Sequence, residues 1–146
     1  MSGALAKYMA KLSLKEGLHV LSTSRKHQID LDEPSYLGGT DKGPSPIELL
    51  LAALGGCQII TLAFFAPRLG VKLRNVETVV EGHLDPRGFM GVSGVRPGFQ
   101  KIRISTKIQA EGDPEKIKEL IRMAEERCPV NDNIRNNTLI ELQVES

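Results

Sequence analysis

GPSPIELLLAALGGCQIITLAFF, residues 43 to 65, decides the fold. Ser45-Pro46-Ile47-Glu48 puts serine at a helix N-cap, proline at the first helical position and glutamate at the third, a capping box. The helix should run to about Phe65 and stop before Pro67, because a proline disfavours helical backbone in the residue ahead of it. From Leu49 to Ala66 no charged residue occurs, 66 − 49 + 1 = 18 residues, at the lower edge of bilayer-spanning length. Gly55-Gly56, Gln58 and Thr61 interrupt the run, and no other segment resembles it. The reading is a helix buried on all sides in a soluble protein, not a membrane span. A chain of 146 residues has little material to cover a whole helix perimeter, so a second subunit is expected as cover.

Outward from this helix the pattern is mixed. LHVLSTS and HQIDLD alternate apolar and polar residues around Arg25-Lys26, which predicts a hairpin within residues 16–32. Glycines and prolines between residues 33 and 46 make a loop. Val76 to Val80 favours a strand, residues 85–98 form a glycine-rich loop, and FQKIRISTKIQA (99–110) should pair with the preceding strand. Asp113-Pro114 opens a second helix, whose Ile117, Leu120, Ile121, Ala124 and Cys128 form one apolar stripe that Pro129 ends. TLIELQV reads as a last strand. The expected order is β-β-α-β-β-α-β, an α+β fold with a buried central helix, in one domain spanning 1–146.

Composition narrows the function. Nineteen Lys+Arg against 18 Asp+Glu leave a net charge of +1, and four Phe, two Tyr and no Trp offer few stacking platforms, so no nucleic-acid partner is expected. The N-terminal apolar residues are broken by Lys7, Lys11 and Lys15, which predicts no secretory signal and a cytoplasmic setting. His19, His27 and His83 are scattered, and no metal or bound cofactor is assigned.

Two cysteines remain. Cys57 sits mid-way along the apolar helix and Cys128 at the end of the amphipathic one, both facing the interior. Buried cysteine often only fills space. Two packed helices at about 8–10 Å can also bring such thiols together. A reactive thiol must be a thiolate, and a mid-helix position draws no help from the helix N-terminus. A cation is needed, with Arg25 the first candidate and Arg96 the second; solvated surface charge explains both equally well.

The stretch GPSPIELLLAALGGC (43–57), Gly70, the CPV at Cys128–Val130 and the order of elements together resemble the OsmC/Ohr family, named for osmotic induction and organic-hydroperoxide resistance. The spelling GGTDKGPSPIELLLAALGGC with the later VRPGFQKI is similar to the broad OsmC-like branch. The resemblance implies an intertwined homodimer with the two central helices at its middle. It implies that Cys57 is the peroxidatic cysteine, oxidised to a sulfenic acid by an organic hydroperoxide, and that Cys128 resolves it to a disulfide reduced by an external dithiol. Glutamate and arginine assist in the family; here Glu48 and Arg25 are the candidates. Glu48 stands 57 − 48 = 9 residues before Cys57, which at about 100° per residue is half a turn away, and its capping role explains it equally well.

The resulting expectation is a thiol-dependent peroxidase of alkyl or fatty-acyl hydroperoxides in oxidative-stress defence. The alternative is a non-catalytic dimer holding an apolar acyl ligand. A membrane-associated subunit would rest on Leu49–Ala66 alone.

Overall fold

The computed structural model describes residues 3–146, as an α+β chain with two small antiparallel sheets and four helices. The chain divides into two compact units, residues 1–50 and 51–146.

The first unit holds β1 (Lys11–Leu14), β2 (Val20–Ser24) and β3 (His27–Leu31), in the order β1-β2-β3. β2 and β3 are the expected hairpin, with Val20 opposite Leu31 and Arg25-Lys26 at the turn. β1 is additional. All four of its side chains are exposed, so it is held by backbone pairing to β2 and carries no apolar signature. After β3 the chain turns around Asp32, which is 1% exposed. The Asp32 carboxylate accepts bonds from the Thr40 hydroxyl (2.6 Å) and from the amides of Glu33 (2.8 Å), Thr40 (3.2 Å) and Lys42 (3.3 Å). These donors, the Thr40 hydroxyl foremost, lower its pKa to about 2. Gly39 and Gly43 complete the loop, since a Cβ at either would collide with the carbonyls of Glu33 and Asp30.

α1 (Pro46–Phe65) begins at the boundary between the units. Its capping box is formed: Glu48 Oε2 accepts from the Ser45 amide at 2.7 Å and from the Ser45 hydroxyl at 2.9 Å. These bonds hold the Glu48 carboxyl below its ordinary value.

In the second unit α1 runs on through a short 3-10 turn (Ala66–Leu69) to Gly70, whose φ of +66° needs glycine. β4 (Lys72–His83) and β5 (Lys101–Glu111) pair along their whole lengths, with one irregularity between Leu73 and Asn75. α2 (Pro86–Phe89) lies between them. β4 is longer than expected because its alternation continues through Leu73, Val76, Thr78 and Val80 once paired with β5. α3 (Pro114–Arg127) and α4 (Pro129–Arg135) follow. The core comprises Leu62, Ala66, Val71, Leu120 and Ala124, with Phe65, Val76 and Ile108 packed against it. α1 meets β4 through Gly55, where an added Cβ would come within 2.9 Å of Val80 Cγ2.

One expectation is overturned and two gain detail. α3 does stop ahead of Pro129, at Arg127, and Pro129 then opens a further short helix, α4, at its first position, leaving Cys128 between the two. No strand forms at 138–144. Its alternating Ile140, Leu142 and Val144 are 87%, 88% and 77% exposed, and alternation makes a strand only where a paired edge receives it. Within one chain α1 is covered on one face only, the shortage of cover that a chain of 146 residues was expected to leave. Leu54 and Leu62 are buried, but Ile60 is 70% and Phe64 57% exposed, because β4 and α3 cover one face only.

Leu120→Ala should cost about 2–5 kcal/mol in urea unfolding, because it empties the centre of the core of the second unit. A pKa held below the unfolded value of 3.8 stabilises above that value, and the contribution is lost as pH falls through about 2. Carboxyl NMR should therefore place the Asp32 midpoint near 2. Thr40→Val should move that midpoint upward, since the lost hydroxyl is the largest cause of the shift.

Candidate functional site

Cys57 and Cys128 both belong to the second unit. Cys57 lies mid-way along α1, partly exposed, and its carbonyl accepts a 2.7 Å bond from the Thr61 hydroxyl. Cys128 is 1% exposed and forms the joint between α3 and α4, in extended backbone (φ −73°, ψ 111°). The break at Cys128 lets the chain turn there, so the thiol points inward from a joint and not from a helix face. Both cysteines are free thiols, and Cys57 is a near neighbour whose side chain acts on the ionisation of Cys128. Burial pushes the Cys128 thiol above its ordinary value, and the contact with Cys57 adds to the rise. The Asn131 and Val130 amides pull it partly back. The Asn131 amide donates to Cys128 Sγ at 3.4 Å.

Aromatic and cationic stacking ties α1 to α3 beside this pair. The Arg127 guanidinium sits 5.0 Å from the Phe65 ring centre, and Arg68 sits 4.2 Å from that of Phe64. Phe64 and Phe65 meet edge to face at 5.1 Å. A cavity of about 360 Å³ borders Gln58, the residue after Cys57 in α1. Its walls are Leu62 of α1, Ile102, Ile104 and Ile108 of β5, and Ile121 and Ala124 of α3. Gln58, Thr106, Glu125 and Arg135 supply polar groups on its lining. The cavity is therefore largely apolar across β5, where Thr106 is the one polar side chain among the described lining residues, with a charged pair on the α3–α4 side.

The other candidates are carried by other elements. Arg25 occupies the tight turn between β2 and β3 with φ +56°, and Glu48 closes the α1 capping box; both belong to the first unit. Arg96 lies in the loop before β5 with its guanidinium over Gly98, and it is not among the described residues lining the cavity. Asn131 and Arg135 were not legible as site residues. Their only signal was the Cys-Pro start of a short helix, and their roles depend on where α4 folds. Among the described residues no three His, Cys, Asp or Glu side chains gather to hold a metal.

The family model for OsmC-like proteins matches residues 39–143. The chain belongs to the OsmC-like protein family. A hydroperoxide reductase of Mycoplasma pneumoniae is 26% identical over 139 residues, covering 94% of each chain. The crystal structure of an OsmC-like protein from Mycoplasma pneumoniae superposes with a TM-score of 0.76 at 25% identity, over 89% of this chain and 88% of that one. An organic hydroperoxide resistance protein OsmC from Legionella pneumophila superposes with a TM-score of 0.63 at 25% identity, over 92% and 93%. The long apolar α1 thus belongs to an OsmC-like α+β fold, although its length and hydropathy alone would suit a bilayer.

Ultraviolet titration of thiolate should place the Cys128 midpoint above the ordinary thiol range. Cys57→Ala should lower it part of the way, because burial is the larger cause and stays. A midpoint unchanged by Cys57→Ala would show that the two thiols do not interact.

Proposed function

We propose that this OsmC-like chain is a thiol-dependent peroxidase that reduces organic, alkyl or fatty-acyl, hydroperoxides in oxidative-stress defence. The observation that carries this reading is the approach of Cys57 and Cys128, with a largely apolar cavity bordered by Gln58, the residue after Cys57. The hydroperoxide reductase name of the Mycoplasma pneumoniae relative supports the same reaction class.

The chemistry follows from the placement. The Cys57 thiolate attacks the distal oxygen of the hydroperoxide, the O–O bond breaks, and the alkoxide leaves as an alcohol after taking a proton. Cys57 becomes a sulfenic acid. Cys128 then attacks the Cys57 sulfur, the S–O bond breaks, and water leaves as the disulfide forms. An external dithiol reduces the disulfide and returns both thiols. The isoleucines of β5 favour an apolar substituent on the peroxide over hydrogen peroxide. A partly exposed Cys57 and a buried Cys128 match the division of labour, since the attacking thiolate must meet substrate and the resolving thiol need not.

Arg25, assisted by Glu48, remains our assignment for thiolate activation, carried by the family resemblance alone. The working form we propose is an intertwined homodimer in a reducing cytoplasm. Support comes from the exposed Ile60 and Phe64 of α1 and from Leu139, Ile140 and Leu142 near the C-terminus, large apolar side chains that a second copy would cover.

A second reading, an acyl-ligand-binding dimer without catalysis, is favoured by the cavity taken by itself. Peroxide consumption separates the two. Cumene hydroperoxide with dithiothreitol should be turned over by the parent chain and not at all by Cys57→Ser. Cys128→Ser should complete one turnover, then stall and over-oxidise at Cys57. No consumption with any dithiol would leave the binding reading in possession.

A further inference from the structure

Asn131 lies one turn beyond Cys128 and is 7% exposed. Its amide N–H donates to Cys128 Sγ, its Nδ2 donates to the Glu125 carbonyl at 3.0 Å, and its Oδ1 accepts from Arg135 Nε at 3.1 Å. Arg135 Nη2 also reaches the Glu125 carboxylate at 3.5 Å. Arg135 thereby closes a ring across the α3–α4 joint, with the Cys128 thiol held inside that joint.

As a surface ion pair, the Arg135–Glu125 contact is worth little. Both side chains are more than half exposed, and such pairs contribute about 0–1 kcal/mol. The bond to a buried amide is different, because α4 spans only 7 residues and a helix that short is held by tertiary contacts. Arg135 also lines the cavity, together with Gln58 and Glu125.

We propose that Arg135 is a positioning residue for Cys128: through Asn131 it aims the amide N–H at the resolving sulfur and favours its thiolate. An N–H donated to sulfur stabilises the charged form, and the effect fades as the donor moves away. Without Arg135 the joint loosens and the Glu125 carboxylate loses its cation, and both changes disfavour the thiolate. Among the described residues, the titratable and charged groups around the joint are the Cys57 thiol from α1, Arg122, Glu125, Glu126 and Arg127 from α3, and Asp132 and Arg135 from α4. β5 contributes isoleucines and Thr106. The step affected is the attack of Cys128 on the Cys57 sulfenic acid, so the role rests on the peroxidase reading.

The primary test does not use peroxide. In a Cys57→Ala chain the remaining thiol is Cys128, and its thiolate absorbance is followed against pH. Arg135→Gln should raise the midpoint by about one unit, about tenfold less thiolate at a given pH. Arg135→Lys, which keeps a cationic donor, should raise it less. Lys116→Gln, on an exposed α3 pair with Glu119, should leave it unchanged. Unchanged midpoints in both Arg135 variants overturn the role, and so does an equal rise in Lys116→Gln, which would mark general loosening of α3. With both cysteines present, Arg135→Gln should slow disulfide formation about tenfold after a hydroperoxide pulse while Cys57 oxidises at the parent rate. Dimedone should then trap more of the Cys57 sulfenic acid. Absence of any Cys57 oxidation in the parent would instead sink the peroxidase reading and leave the titration result standing.

Discussion

A helix with apolar side chains around its whole circumference is stable in water only when every side is covered, and the rest of this structure follows from that need. The capping box at Ser45 and Glu48 sets where α1 begins. Gly55 lets the helix settle onto β4, and Leu62 and Ala66 join Leu120 and Ala124 of α3 in the core. The same packing that covers one face brings Cys57 to the α3–α4 joint. The uncovered face, with Ile60 and Phe64, is the reason a second copy enters the proposed working form.

Chemistry follows from the asymmetry between the two thiols. Cys57 is carried by a long rigid helix and partly exposed, whereas Cys128 is buried where two helices break. A thiol at a joint can shift by small rotations of the flanking backbone, which a mid-helix thiol cannot do. The Asn131 bracket and the Arg135 side chain limit that freedom. A cavity walled largely by β5 isoleucines borders Gln58, the residue after Cys57, and this is the room the proposed reaction would use for an apolar peroxide.

Much of this was legible because its causes are local. The capping box, the Asp113-Pro114 start of α3 and the alternation of β5 depend on residues a few positions apart. The two cysteines stood out as a pair because the chain has no others. What was missed depends on distant partners. β1 is held by backbone bonds to β2 and shows no side-chain pattern. The 138–144 segment has the pattern of a strand, with Ile140, Leu142 and Val144 exposed in the chain described. Asn131 is an ordinary helix residue until the fold places it against the Glu125 carbonyl and Arg135. Glu48 shows the opposite case: its capping bonds were readable from spacing alone, while its assignment to catalysis still stands on resemblance.

The central claim is that Cys57 and Cys128 are one redox couple within one chain. It is tested most directly by treating reduced protein with one equivalent of cumene hydroperoxide, alkylating free thiols, and mapping peptides without reduction. The account predicts an intrachain Cys57–Cys128 disulfide as the main product. Recovery of both cysteines alkylated, or of Cys57 as sulfinic acid with Cys128 still free, would contradict it.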